Sequence, residues 1–199
     1  MKSENLFSLA VLASLLAVAS PACAEWKHVD RVETYAISGS SGAALYESIG
    51  ANGPQLGSTR VVAYTTFDLK WSRDYRPSGG GCTLVKAKPH LIIITKLPKP
   101  SAKLPAATAA TWKTFIDGIR AHEAVHGQHM IEMTKAIEAY SVGLRVENDP
   151  NCTKIRAVLT ERLAELSKEQ RRRSNAFDKV EMSQGGNVHR LILALVNGG

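Results

Sequence analysis

The chain has 199 residues, a formal net charge of +7, 44% apolar residues and 6% aromatic residues. That length allows one domain with little besides, and the composition excludes a disordered or collagen-like polymer. The basic balance favours acidic partners such as an anionic envelope surface, a cell-wall polymer or an acidic substrate. No basic face interleaved with aromatic residues is present, so nucleic acid is not an expected partner.

Met1-Lys2 opens the chain with positive charge, and Leu6 to Ala19 is a nearly unbroken run of Leu, Ala and Val. Ala22 and Ala24 stand at the small-residue spacing of a secretory cleavage site, so residues 1–24 read as a signal peptide cut after Ala24. Lipid anchoring through Cys23 is a minor alternative, because Ser20 and Pro21 fit a lipobox poorly. The mature chain, residues 25–199, keeps Cys82 and Cys152, and an exported protein with two cysteines is expected to join them as one disulfide.

From Glu33 to Ser38 the chain reads as a strand, and Ala43 to Ile49 as a short helix that stops at the turn Gly50-Ala51-Asn52-Gly53-Pro54. Arg60 to Trp71 has strand composition, and after the break at Pro77 to Gly81 a further strand or two spans Cys82 to Thr95. Pro98, Pro100 and Pro105 read as a link. A helix follows from Ala106, with Trp112, Phe115, Ile119, Met130, Met133 and Ile137 as its apolar pattern, and ends before Asn148-Asp149-Pro150. A second helix begins after Asn151 and runs to about Arg173. The expectation is one α+β domain, an antiparallel sheet over about 25–97 packed on a helical hairpin over about 106–178, with 179–199 as a tail.

The chemistry concentrates in His122-Glu123-Ala124-Val125-His126. Histidines four apart on a helix share one face, one turn apart, and can bind one zinc ion. Glu123 can then reach a metal-activated water as general base. The third ligand is open. His129 lies on the same face, but roughly 7.5 Å of helix rise beyond the midpoint of the pair, which strains a single site. If the hairpin folds near Asp149, Glu169 comes to the His129 region and Phe177-Asp178 to His122. Asp178, Glu181 and His189 are therefore further candidates.

Tyr35 to Gly39, Asn52-Gly53-Pro54, Thr65 to Trp71, Cys82, the prolines and Trp112 precede the histidine motif in an order that resembles secreted bacterial zinc-dependent proteases first catalogued as a domain of unknown function. The resemblance runs from about Arg31 to Asp178 and implies a zincin-type site with His122 and His126 as ligands and Glu123 as base. That family tends to close with an aromatic-Asp pair, then Thr and His-Gly. Phe177-Asp178 matches the pair, whereas Glu181 and Ser183 stand where the threonine and histidine would fall. The leading expectation is a secreted or periplasmic zinc metallopeptidase acting on a peptide or protein. The alternative is an inactive envelope protein of the same fold that binds a partner or an anionic cell-wall polymer.

Overall fold

The computed structural model describes residues 26–198, so the signal peptide and Cys23 lie outside the described residues. The elements run β1 (Val29–Ile37), α1 (Gly42–Asn52), β2 (Gln55–Leu56), β3 (Thr59–Arg60), β4 (Tyr64–Ser78), β5 (Gly81–Pro100), α2 (Ala106–Ser141), β6 (Arg145–Val146), α3 (Lys154–Glu181) and α4 (Asn187–Asn197). The fold is α+β, with a mixed sheet of order β1-β5-β4 and β6 added to β5.

Three expectations are corrected. The sheet is not wholly antiparallel, because β1 runs parallel to β5, with Val29 beside Ile92 and Ile37 beside Pro100. The return from β1 passes through α1 and the β2–β3 ribbon before β4, a connection long enough for a parallel neighbour. The proline link is partly strand, since β5 continues to Pro100. Its prolines fall where β5 has a single neighbour: Pro89 precedes the start of β1 pairing at Ile92, and Pro98 and Pro100 follow the end of β4 pairing at Lys96. A missing N–H is tolerated at such positions. Finally, residues 179–199 are not a tail. The second helix continues through the arginine run to Glu181, because no breaker intervenes before Gly185, and α4 follows. Val188, Leu191, Ile192 and Leu195 give α4 one apolar face, which joins the core of Phe115, Ile119, Leu45 and Ile37. Glycines permit the approach. A Cβ at Gly42 or Gly118 would collide with Leu195 or Leu191 of α4.

The β4–β5 hairpin turns at Gly79 and Gly80, both at positive φ (57° and 78°), with Ser78 paired to Gly81. Two left-handed residues suit the twist of a two-residue hairpin loop. One face of β5 buries Leu84, Ala87, Leu91, Ile93 and Leu97, while Lys86, Lys88 and His90 between them are exposed. The helices cover the first face, with α2 lying on β5 and β4.

The lower end of the helical layer is fastened covalently. Cys82 of β5 and Cys152, just before α3, form a disulfide with a Cα–Cα distance of 5.2 Å. Cys152 holds a left-handed φ of 54°, unusual outside glycine, secured by the bridge and by its N–H donating to the Asp149 carbonyl at 3.1 Å. Asp149 itself is buried and accepts from the N–H groups of Thr153, Lys154 and Ile155 at 2.8, 3.1 and 2.9 Å. Three of the unpaired donors at the start of α3 are thereby satisfied by one carboxylate, placed where the helix dipole also favours negative charge.

Candidate metal centre

The apolar stripe of α2 runs through Trp112, Phe115, Ile116 and Ile119, and resumes at Met130, Met133 and Ile137. Between the two stretches the same buried side carries His122, Glu123 and His126, which are 4%, 5% and 9% exposed. Burying three ionisable groups in a row is unfavourable unless they meet partners of suitable chemistry.

Those partners come from α3, which returns antiparallel to α2. His126 Nε2 lies 2.9 Å from Asp178 Oδ1, and His122 Nε2 lies 3.2 Å from the same oxygen. The two Nε2 atoms are 3.2 Å apart. Donor atoms held about 2.1 Å from one ion at tetrahedral angles are separated by roughly 3.4 Å, close to this spacing. Among the described residues, His122, His126 and Asp178 are the group whose ligand atoms converge in this way.

Asp178 Oδ1 is buried with no hydrogen bond among the described residues, despite its short contacts, so the two imidazole nitrogens face it without the directionality of donors. A buried carboxylate oxygen in that state is incomplete by ordinary hydrogen-bond accounting and is suited to a cation between the three groups. Its position adds to this: Asp178 sits in the last turn of α3, the end where the helix dipole disfavours negative charge. Two nitrogens and one carboxylate oxygen form a donor set of the kind that binds zinc and related divalent ions, with a fourth position left over.

The electrostatics agree. Burial works against the His122 cation, but Asp178, Glu123 and Glu181 outweigh it and hold its pKa above the usual imidazole value. Burial likewise works against the Asp178 carboxylate, and the two histidines overcome it, holding the carboxyl well below its usual range. Glu123 is displaced upward, mainly by burial, against the lowering influence of Thr65 and the histidines.

The other predicted residues fall as follows. Glu123 accepts from Thr65 Oγ1 of β4 at 2.8 Å through Oε2, and Thr65 in turn contacts Thr95 Oγ1 of β5 at 3.1 Å. Glu181 stands beside the cluster, its Oε2 3.6 Å from His122 Nδ1, which is also buried without a hydrogen bond among the described residues. His129 does not join. Its ring centroid is 6.4 Å from that of His126, and its Nδ1 meets Ser174 Oγ at 3.1 Å, so helix rise carries this candidate ligand past the convergence point, where Asp178 stands instead. Ser174, not Glu169, occupies the place opposite His129; Glu169 turns outward to Arg172. His189 is at the start of α4, where its Nδ1 accepts from the Gly185 N–H at 3.2 Å. Phe177 stacks on His122 with centroids 4.8 Å apart.

The cluster opens into a cleft of about 330 Å³ between β4, α2 and α3, lined by Tyr64, Thr65, Phe67, His126, Met130 and Asp178 among others. Glu123 also borders this cleft. Among the described residues β4 pairs only with β5, so its other edge is free beside the opening.

Residues 32–186 match the family described as bacterial protein of unknown function (DUF922). The chain belongs to that family. No curated protein and no solved structure matches the chain. Family membership thus supplies no reaction, and the chemistry must be argued from the cluster itself. Sequence reasoning gives neither Thr65 nor Asp149 a role of its own, although Thr65 opens the Thr65 to Trp71 motif and Asp149 marks the hairpin turn. Thr65 is one of several threonines on its strand, and only the packing of α2 on the sheet brings it to Glu123. Asp149 did have a signal, as an aspartate just ahead of a helix start.

Proposed function

We propose that this protein is an exported zinc-dependent peptidase. His122, His126 and Asp178 would hold the ion, and Glu123 would serve as general base. The observation that carries the reading is the convergence of three metal-type donors on one point at the floor of an open cleft, with a buried carboxylate adjacent. When bound, zinc supplies Lewis acidity, polarising a carbonyl and lowering the pKa of water toward ~7.

The chain's own residues supply the rest. Thr65 ties down one oxygen of Glu123, leaving Oε1 to take a proton and pass it to a leaving amine. The raised pKa of Glu123 suits a group that must both accept and return that proton. The free edge of β4 supports an extended peptide as substrate, since such a segment can add to a sheet edge through main-chain hydrogen bonds. The disulfide is consistent with an oxidising compartment outside the cytoplasm, as the export reading requires.

Zinc content of the purified mature protein is the direct test, combined with cleavage of a quenched-fluorescent peptide library. One zinc per chain is expected in the wild type and in Glu123→Gln, with turnover reduced at least a hundredfold in the variant, as for loss of a general base. Full turnover in Glu123→Gln would overturn the assignment of the base. A zinc-free wild type after incubation with excess metal would overturn the metal reading.

A further inference from the structure

The basic run Lys168 to Arg173 of α3 is partly neutralised in the folded protein, with Arg172 and Arg173 in ion pairs. Arg172 pairs with Glu169, Arg173 with Glu132 and, further up α3, Arg162 with Glu165. The face of the sheet turned away from the helices is different. Strand alternation places Lys86, Lys88 and His90 of β5 on it, with Lys70 of β4 directly across from His90 and Ser72 across from Lys88. Lys96 continues the row beyond the half-buried Ile92 and Ile94.

The carboxylates within this face, Asp68 and Asp74, are engaged by Lys70 and Arg76. Lys86, Lys88 and Lys96 form no ion pair among the described residues, although Glu33 of β1 lies beside Lys96 in the register. No described helix packs on this side, since α2 covers the opposite face.

We propose that this open face binds a linear polyanion, a chain-like polymer carrying repeated negative charges and no bases. Alternate residues on one side of a strand are about 7 Å apart, so the lysines form a row rather than a compact pocket. A row of separated point charges complements a linear anion. Lysine row and polymer would meet through charge, with counterion release as the driving force. Tyr64 stands across from Lys96 at one end of the row and the exposed Val29 lies beside Ile92, whereas the cross-strand pairs Lys86–Asp74, Lys88–Ser72 and His90–Lys70 carry no Trp, Tyr or Phe on which a base could stack and no large apolar side chain to insert into a bilayer. Because the metal cluster lies on the helix side of the same sheet, a protein held by this face presents its cleft away from the polymer.

The test uses the full mature protein and fluorescein-labelled poly(glycerol phosphate), followed by anisotropy across a salt series. Binding at low salt is expected, with log K falling linearly against log salt. The triple variant Lys86→Gln/Lys88→Gln/Lys96→Gln should bind at least tenfold more weakly and lower the slope by about 2, as for three lost contacts to a single-stranded polyanion. The control Lys168→Gln/Arg171→Gln/Arg172→Gln removes the same charge from α3 and should stay within twofold of wild type. Equal losses in both variants would reduce the effect to net charge and overturn the assignment of the face. Absence of polymer binding, or binding to phosphatidylglycerol vesicles alone, would overturn the polymer. Zinc content and thermal midpoint of each variant show whether it is folded, and neither readout depends on peptidase activity.

Discussion

Two aspartates mark the two ends of α3, Asp149 buried and Asp178 only half-buried, and they are opposites. Asp149, before the first turn, spends both carboxylate oxygens on three backbone N–H groups at the favourable pole of the helix. Asp178, in the last turn, buries an oxygen with no hydrogen bond at the unfavourable pole, facing two imidazoles. One residue type thus serves architecture where its acceptors are satisfied. Where they are not, the fold leaves a position that a cation would complete. Satisfaction of hydrogen bonds, more than residue type, separates the end that caps the helix from the end that holds the candidate metal site.

The comparison predicts that the ends fail independently. Replacing both Cys82 and Cys152 by serine should cost about 4 kcal/mol through the freed loop. At about 2–4 °C per kcal/mol for a domain of this size, the thermal midpoint should fall by roughly 10 °C. Zinc stoichiometry should stay unchanged, and its loss in this variant would show that the two ends are one unit. A similar effect of opposite origin is expected from metal. Zinc at about a thousand times its Kd adds about 4 kcal/mol to the wild type by linkage. In a melting titration Asp178→Ala should lose most of that increment and Asp149→Ala should keep it. Equal zinc shifts in the two variants would erase the distinction drawn here.

A pH series sharpens the architectural end. Backbone hydrogen bonds hold the Asp149 carboxyl below its usual range, overcoming the desolvation that opposes them. A depressed carboxyl stabilises the fold above its unfolded pKa of about 3.9, and that contribution disappears as pH falls through the lower folded value. Metal-free Asp149→Asn should therefore be less stable than wild type at pH 7, and the gap should narrow toward pH 2 in urea titrations. A gap independent of pH would refute the charge-based account of this cap. The smallest effect belongs to Thr65. Thr65→Val removes a hydrogen bond to a charged group, worth about 1.5 kcal/mol, and should lower kcat about tenfold with zinc content unchanged. Thr65→Ser should recover most of the rate; an inactive serine variant with normal zinc would deny the hydroxyl its role.

Much of the candidate site was legible because helical spacing is local information. A spacing of four from His122 to His126 fixes a shared face whatever the rest of the chain does. Asp178 could be named a candidate from one further assumption, a hairpin folding near Asp149, and the structure pairs those segments within a few residues of that estimate. The parallel course of β1 was not legible, since side-chain alternation is the same for either direction of pairing. The extent of α3 beyond the expected end near Arg173 follows from the lack of any glycine or proline before Gly185, a weaker signal than the apolar stripe, which thins out after Leu166. In α4 the apolar spacing Val188, Leu191, Ile192, Leu195 was present but lay behind the Gly185-Gly186 break, in a stretch too short to demand its own place in the core.

The slender apolar support of α3 has a consequence for timing. Its fully buried residues are Ile155 and Leu159 near the disulfide, and then only Gln170 further along. Asp178 therefore rides on the outer arm of a lever hinged at the oxidised end, while His122 and His126 wait on a rigid helix. On the proposed metal reading, capturing an ion would include the work of seating that arm, so affinity for metal and order in the second half of α3 would become one quantity. Chelation should be read first as accelerated hydrogen exchange between residues 170 and 181, with the sheet undisturbed.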